Sequence, residues 1–328
     1  MDGELLPPVH PRPDLPGRVR IWEVGPRDGL QNEPSIVPAE VKAELVTRLV
    51  GAGLSTVETT SFVNPSWVPQ LADAEEVFTL LAPLRAAHEA SASGHAGLRL
   101  PVLVPNLPGL ERARSCGVRD VAVFASATET FARKNLNRSR EDALEMFAPV
   151  VAEARADGIG VRAYVSMCFG DPWEGAVPES DVVAVCERLL EMGAEELSLG
   201  DTIGVATTGQ VVDLLDALAR AGIGAAQLAV HFHDTYGQAL ANTLTALSCG
   251  ITTVDSSAGG LGGCPFAKSA TGNLATEDLC WALAGAGVET GVDLRRLVET
   301  SVWMADRLAR PSPSRVVRAL AAKTKESP

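Results

Sequence analysis

Short apolar runs alternate with longer stretches of helical periodicity along the chain from Val19 onward. The short runs are rich in β-branched residues and are bounded by turn residues, which predicts buried strands. We predict eight strands, at residues 19–24, 56–62, 98–104, 120–125, 161–167, 195–200, 227–233 and 252–256. The intervening stretches predict helices at residues 38–52, 67–87, 107–115, 140–156, 179–192, 208–221, 236–249 and 274–286. Glycines suited to a helix C-cap follow six of these helices: Gly53, Gly117, Gly158, Gly193, Gly222 and Gly250.

The alternation of strands with helices predicts a parallel sheet. Eight such units between residue 19 and about residue 289 fit an α/β fold of the (β/α)8 TIM barrel type. An open doubly wound sheet is the alternative, but no Gly-x-Gly-x-x-Gly motif opens the first helix, which argues against a dinucleotide-binding version. Residues 293–309 predict one extra C-terminal helix, which Pro311 and Pro313 end. We therefore expect a flexible Pro-rich tail at residues 1–17, a single barrel domain at 18–310 and a C-terminal extension at 311–328.

Composition narrows the classes of partner. The chain has 328 residues and 46% hydrophobic content, enough for a large core. Its net charge is −13 and it has no block of Lys or Arg, which argues against nucleic acid and anionic membrane surfaces as partners. No apolar run reaches the ~18 residues that a membrane span needs. The six cysteines form no Cys-x-x-Cys pair and the N-terminus lacks the features of a signal or transit peptide, so we expect a cytoplasmic protein.

Two of the five histidines, His231 and His233, stand at the end of the seventh predicted strand. Alternate residues of a strand share one face, so both rings point the same way. Such pairs commonly ligate a divalent metal, although hydrogen-bonded core histidines are the alternative. In a barrel, Asp28 after the first strand would lie at the same rim and complete a His₂/carboxylate set suited to Mg²⁺ or Mn²⁺. Asn273 could add a carbonyl oxygen, or could be a turn residue.

Two other rim positions carry candidate chemistry. The forked guanidinium of Arg27 could hold an oxyanion or a carboxylate, and the alternative is a salt bridge to Glu58 or Asp201. Cys264 differs from the other cysteines because it closes a glycine-rich loop. A thiol there could act as a general acid or base, although a small buried residue is equally compatible with the sequence.

Five segments together resemble the 3-hydroxy-3-methylglutaryl-CoA lyase family, in order along the chain from about residue 19 to 308. They are GPRDGLQNE at 25–33, ETTSF at 58–62, LGDTIG at 199–204, HFHDTYG at 231–237 and GGLGGCP at 259–265. That family is a metal-dependent (β/α)8 barrel that splits its substrate into acetyl-CoA and acetoacetate. The resemblance therefore implies a carbon–carbon lyase with an acyl-CoA substrate and a role of the leucine or ketone-body catabolic type.

Roles are implied position by position. The resemblance implies Mg²⁺ or Mn²⁺ ligation by Asp28, His231, His233 and Asn273. It implies Arg27 at the thioester carbonyl, with Glu58 and Asp201 as supporting carboxylates. Either Cys264, on a mobile loop, or His231 would supply the proton to the departing enolate, and the sequence leaves the choice open. We also expect substrate contacts from Gln31, Ser61, Lys134 and Asn135, with solvated surface charge as the alternative for Lys134.

Some positions depart from the family pattern. Met167 and Asp171 stand where many relatives carry cysteines, Pro34 where a lysine is common, and Ser269 where a glycine is common. These departures leave the acyl group open, so a lyase for a longer 3-hydroxyglutaryl-CoA is an alternative. A Claisen-type acyltransferase resembling isopropylmalate or homocitrate synthase is another, but those enzymes lack the Gly-Gly-Cys-Pro loop. A metal-binding scaffold without activity is a third. We expect a homodimer or a higher homo-oligomer.

Overall fold

A computed structural model describes residues 6–90, 97–263 and 272–326. Its eight parallel strands pair in the order β1-β8-β7-β6-β5-β4-β3-β2. Their bounds are β1 Arg20–Glu23, β2 Thr60–Ser61, β3 Val102–Leu103, β4 Asp120–Ser126, β5 Gly160–Ser166, β6 Glu196–Asp201, β7 Leu228–Phe232 and β8 Thr253–Ser256. A parallel bridge between Glu23 and Val57 joins β1 to the chain just before β2. The sheet therefore closes on itself, and the predicted (β/α)8 barrel is confirmed.

Helices cover the outside of the barrel, and the apolar core lies between them and the strands. Their bounds in the described residues are α1 Ala39–Gly51, α2 Ala74–Leu80, α3 Ala82–Ala90, α4 Leu107–Ser115, α5 Glu129–Leu136, α6 Arg140–Ala156, α7 Glu179–Met192, α8 Thr208–Arg220, α9 Ala239–Ser248, α10 Thr276–Gly285, α11 Leu294–Arg307 and α12 Arg315–Glu326. Within these ranges no helix is both long enough and apolar enough to cross a membrane.

Three of the observed helical segments differ from the prediction, because the local sequence pattern is misleading there. The helix predicted at 67–87 is broken into a 3₁₀ turn at Pro69–Leu71, then α2 and α3. The sequence does not predict α5, because it is short and five of its eight residues are charged or polar. α12 was not predicted either, since the two prolines before it indicate an end and not a start. It begins after Ser314, whose hydroxyl accepts the N–H of Val317 at 3.1 Å.

The segment before β1 runs along the end of α10. The N–H groups of His10 and Arg12 donate to the carbonyl oxygens of Gly285 and Ala286, at 2.8 and 3.1 Å, and Leu15 is buried. The described part of the N-terminal segment is thus held against the barrel by backbone hydrogen bonds.

The interior of the barrel is polar beneath the carboxyl rim. Strand register places Arg162 of β5 opposite Glu196 of β6, and His231 of β7 opposite Asp255 of β8. Arg162 also pairs with Asp255 at 2.6 Å, although β5 and β8 are not neighbours in the sheet. Such a contact can only cross the inside of the barrel. The guanidinium of Arg162 also stacks 4.1 Å from the ring centre of Trp22, so charged and aromatic groups fill this layer.

Candidate active site

The turn after β1 places Arg27 and Asp28 at the carboxyl rim of the barrel. Gly25–Gly29 form a π-helical turn in which three successive N–H groups converge on one carbonyl oxygen, at 2.8–3.2 Å. Glycine is required at its end, because a Cβ on Gly29 would lie 2.8 Å from the Cβ of Leu261. The turn therefore packs directly against the loop that follows β8, and it directs two consecutive charged side chains to the site.

Asp28, His231 and His233 meet at this rim, as the sequence predicts. One possible ligand atom from each lies within 4.8 Å of the other two. The two imidazole centres are 5.3 Å apart, and both rings are buried. Asn273 lies beside them, and its amide Nδ2 donates to Asp28 Oδ2 at 2.8 Å and to the carbonyl oxygen of Leu261 at 3.1 Å.

Two buried polar atoms beside this cluster have no hydrogen-bond partner among the described residues. They are Nδ1 of His233 and Oδ1 of Asn273. An unpaired buried nitrogen or carbonyl oxygen costs free energy unless a ligand supplies the missing partner. Two imidazoles, a carboxylate and an amide oxygen form a donor set that Mg²⁺ and Mn²⁺ accept. The residues therefore fit a divalent cation.

The charges favour the ligand forms of two of these groups, Asp28 and His233. Burial by itself would raise the pKa of Asp28, but Arg27 and the two histidines outweigh it and lower that pKa to about 2. Burial and the neighbouring His231 lower the pKa of His233 to about 4. At neutral pH Asp28 is thus an anion and His233 a neutral imidazole with a free lone pair, which is what metal coordination requires.

Arg27 is fixed from several sides. Its Nε donates to Glu58 Oε1 at 2.5 Å, its Nη1 donates to Asp28 Oδ1 at 2.7 Å, and its guanidinium lies 5.3 Å from the ring centre of Tyr164. Glu58 is fully buried, and it also accepts hydrogen bonds from Trp22 Nε1 at 3.0 Å and from the Tyr164 hydroxyl. The salt bridge between Arg27 and Glu58 is therefore present, and it holds the guanidinium group at the edge of the cleft.

A cleft of about 300 Å³ opens above these groups. Arg27, Asp28, both histidines and Tyr164 contribute polar groups to its lining. An apolar wall comes from β3, β4, α5 and the chain just after β2: Leu103, Phe124, Phe131, Leu136 and Val63. Apolar walls with a few convergent polar groups are typical of small-molecule sites.

The predicted substrate contacts lie in different places. Gln31, Ser61 and Asn135 line the cleft. Lys134 is not among the lining residues, and its Nζ lies 4.9 Å from the ring centre of Trp173. Asp201 does not line the cleft either. Its two oxygens accept the N–H groups of residues 205 and 206, at 2.9 and 3.1 Å, so it orders the loop after β6. Cys264 lies outside the described residues.

Two side chains of the site were missed by the sequence reasoning. Tyr164 lines the cleft from β5, and Asp255 lies beneath His231, with Oδ2 3.3 Å from Nδ1 of that ring. The alternation in β8 offered a signal, because it puts an acid on the same face as Thr253 inside a buried strand. A buried acid inside a strand needs a partner, and here the partners come from other strands.

Comparison with known proteins adds independent findings. The family model described as HMGL-like matches residues 18–303. The chain is 50% identical to "Hydroxymethylglutaryl-CoA lyase, mitochondrial" of Rattus norvegicus, over 93% of this chain and 90% of that protein. It is 51% identical to the protein of the same name from Arabidopsis thaliana over 93% of this chain, but it spans only 63% of that longer protein. The names of further relatives include both cytoplasmic and mitochondrial forms.

A solved structure is similar over most of its length. The hydroxymethylglutaryl-CoA lyase from Pseudomonas aeruginosa superposes with a TM-score of 0.87 and 46% sequence identity, over 94% of this chain and 99% of that one. At this identity and coverage, the barrel and its rim segments correspond along almost the whole chain.

Proposed function

Because the chain belongs to the HMGL-like family, we propose that it cleaves 3-hydroxy-3-methylglutaryl-CoA into acetyl-CoA and acetoacetate with the help of a divalent cation, Mg²⁺ or Mn²⁺. The observation that carries the proposal is that Asp28, His231 and His233 meet next to Arg27 in a single cleft. The cluster of possible metal ligands lies next to the fixed guanidinium of Arg27. The two groups together match the two needs of the reaction, which are to deprotonate a tertiary alcohol and to stabilise an enolate.

The cation would be held by Asp28, His231 and His233, with Asn273 as a further ligand through its unpartnered oxygen. When bound, it supplies Lewis-acid polarisation of the substrate hydroxyl, which lowers the pKa of that group and orients it. The neutral state of His233 and the anionic state of Asp28 prepare the site for this ligand before substrate arrives.

Arg27 is the group we assign to the thioester carbonyl. When the C2–C3 bond breaks, its electron pair moves onto the acetyl-CoA portion as an enolate, while the former hydroxyl carbon becomes the ketone of acetoacetate. Arg27 stabilises the enolate oxygen more strongly than the neutral carbonyl, so the interaction lowers the barrier and not only the substrate affinity. Because Glu58 already fixes the guanidinium, little reorganisation is needed during the step.

The tertiary hydroxyl gives up a proton as the C2–C3 bond breaks, and a proton must then reach C2 of the enolate. Cys264 and His231 are the two candidates for the base that takes the first proton and the acid that gives the second, in either order. His231 lies in the cleft, with its Nδ1 3.3 Å from Asp255. We propose substrate contacts from the residues that line the cleft, Gln31, Ser61 and Asn135. Lys134 is proposed as well, because it is next to Asn135 on α5.

The direct test is cleavage by the purified full chain. We expect acetyl-CoA and acetoacetate from 3-hydroxy-3-methylglutaryl-CoA, loss of activity in EDTA, and recovery with Mg²⁺ or Mn²⁺. His233→Ala should lose both metal affinity and activity, whereas Cys264→Ser should bind metal normally and turn over slowly. Condensation of acetyl-CoA with a 2-oxo acid, without cleavage, would instead identify an acyltransferase and refute the proposal.

The apolar wall of the cleft supports a second arm of the same experiment. Leu103, Phe124 and Phe131 could accept a longer 3-substituent than methyl. A higher kcat/KM for longer 3-hydroxyglutaryl-CoA analogues would keep the lyase chemistry and change the substrate. We also propose that the protein acts in the cytoplasm as a homodimer or higher homo-oligomer, which fractionation and light scattering would test.

A further inference from the structure

Asp255 lies beneath the proposed metal site, at the centre of a buried network. It is 1% exposed and stands in β8 opposite His231 of β7. Its Oδ1 accepts a hydrogen bond from Nη2 of Arg162 at 2.6 Å, and its Oδ2 accepts one from Nη1 of the same guanidinium at 3.1 Å. The same Oδ2 also accepts the hydroxyl of Ser198 at 2.7 Å, and Nδ1 of His231 lies 3.3 Å from it.

The two-pronged contact with Arg162 fixes the chemistry of this carboxylate. A carboxylate paired with a guanidinium only accepts hydrogen bonds, so the nitrogen of His231 that faces it must carry the hydrogen. Arg162 in turn cannot turn away, because it also pairs with Glu196 at 2.9 Å and lies against the ring of Trp22. The hydrogen-bond partners therefore determine the tautomer of His231.

We propose that Asp255 is a positioning residue that keeps the proton of His231 on Nδ1 and so leaves Nε2 free to bind the divalent cation. The inference rests on the proposed function, because it assigns a role toward the cation of that site. With Nδ1–H on Asp255 and Nε2 on the cation, His231 has no proton for C2, which leaves Cys264 as the acid of that step. Carboxylate partners of this kind orient metal-binding imidazoles and raise their basicity, and losing one typically weakens metal binding roughly 10- to 100-fold.

Replacing the acid by its amide tests the tautomer and not just the packing. In Asp255→Asn one oxygen becomes an NH₂ group, while every neighbour of the original carboxylate donates. The amide oxygen satisfies Arg162 best, and the NH₂ group then faces His231. The ring can accept that hydrogen bond only by moving its own proton to Nε2, the atom needed for the cation. Ser198→Ala is the matched control, since it removes one donor from the same carboxylate and leaves the contacts to Arg162 and His231.

The experiment is a Mn²⁺ titration of the metal-free full-length protein, followed by calorimetry, together with ¹⁵N-histidine NMR of the metal-free proteins. For Asp255→Asn we expect Mn²⁺ binding to weaken by roughly 10- to 100-fold and the His231 signals to change from the Nδ1–H to the Nε2–H pattern. Ser198→Ala should bind Mn²⁺ within about threefold of the wild type and keep the Nδ1–H pattern, because His231 keeps its acceptor.

A folded Asp255→Asn protein with wild-type Mn²⁺ affinity, or with an unchanged His231 tautomer, would overturn the inference. If that variant does not fold, Arg162→Lys takes its place, since lysine keeps the charge but cannot hold both oxygens of Asp255. We then expect Mn²⁺ affinity to fall at least threefold, and no change would count against the role. If the wild type binds Mn²⁺ but cleaves no 3-hydroxy-3-methylglutaryl-CoA, the proposed reaction fails while the positioning role is still judged by the titration.

Discussion

Glu58 determines where the guanidinium of Arg27 points. It receives hydrogen bonds from Arg27, Trp22 and Tyr164 and offers no hydrogen of its own. In Glu58→Gln the negative charge is lost and the new NH₂ group faces a donor, so Arg27 is held less firmly. Under the role proposed for Arg27 we expect kcat to fall roughly 10- to 100-fold with a smaller change in KM, because that role is to stabilise the enolate-like transition state.

Steady-state kinetics and a Mn²⁺ titration of the same variant check this prediction. Mn²⁺ affinity should stay within a few-fold of the wild type, since the described hydrogen bonds of Glu58 go to Arg27, Trp22 and Tyr164 and to none of Asp28, His231 and His233. Tyr164→Phe is the control, because it removes one donor to Glu58 and leaves the salt bridge. A Glu58→Gln protein that loses metal and activity in parallel would show that the residue supports the metal site instead of Arg27.

At the scale of single residues, the sequence shows which residues stand at the rim of the barrel but not where their side chains point. Strand alternation puts His231 and His233 on one face, and the barrel puts Asp28 at the same rim. Asp201 also stands at a strand end, but its carboxylate turns to the backbone of the following loop. Asp255 was missed because its partner, Arg162, lies on a strand across the barrel, and a sequence pattern shows only neighbours on the same strand.

The glycine-rich loop after β8 is held from below by two buried acids. Glu23 accepts the N–H of Ala258 at 2.8 Å, and Glu277 accepts the N–H of Gly259 at 2.8 Å and the hydroxyl of Ser301. Burial raises the pKa of Glu23 from 4.5 to about 7 and that of Glu277 from 4.5 to about 8. Both carboxyls are therefore easier to protonate in the folded protein than in the unfolded chain.

The sign of the resulting pH dependence follows from proton binding. Between about pH 5 and pH 8 these two carboxyls hold protons in the folded protein that they have lost in the unfolded chain, so their contribution to the free energy of unfolding falls as the pH rises through this range. In Glu277→Gln the fall should be shallower, with the contribution of Glu23 remaining. Urea unfolding of the metal-free protein from pH 5 to pH 9 measures the slope. Glu299→Gln on α11, an exposed site, should leave the slope unchanged, and an unaltered slope in Glu277→Gln would refute the assignment.

At the scale of elements, periodic helices could be predicted closely and short polar ones could not. The helices predicted at 107–115, 140–156 and 179–192 match α4, α6 and α7 residue for residue. Each of these helices has an apolar stripe that packs toward the core, so the pattern that predicts the helix is also the pattern that holds it in place. α5 has few apolar residues, and two of them, Phe131 and Leu136, line the cleft. Its stability depends on tertiary contacts that no local pattern contains, and the apolar wall it contributes was missed with it.

The candidate metal site joins residues that are far apart in the chain, since Asp28 follows β1, His231 lies in β7 and His233 comes directly after β7. A cation bound there is bound by the folded chain and not by the unfolded one, in which these residues are far apart. Binding should therefore stabilise the whole molecule, by about 2.7 kcal/mol at 100 times the Kd. For a chain of 328 residues that corresponds to a rise in Tm of about 4 °C.

Thermal unfolding with EDTA or with Mn²⁺ measures this rise without any substrate. His233→Ala should abolish it, because one imidazole of the cluster is lost. His88→Ala should keep it in full, since His88 is an exposed histidine on α3 and outside the cluster. An equal rise in His233→Ala would place the stabilising cation elsewhere, and the Asp28–histidine cluster would then have to be explained without a metal. The same measurement thus links the stability of the closed barrel to the ligand set on which the proposed carbon–carbon cleavage depends.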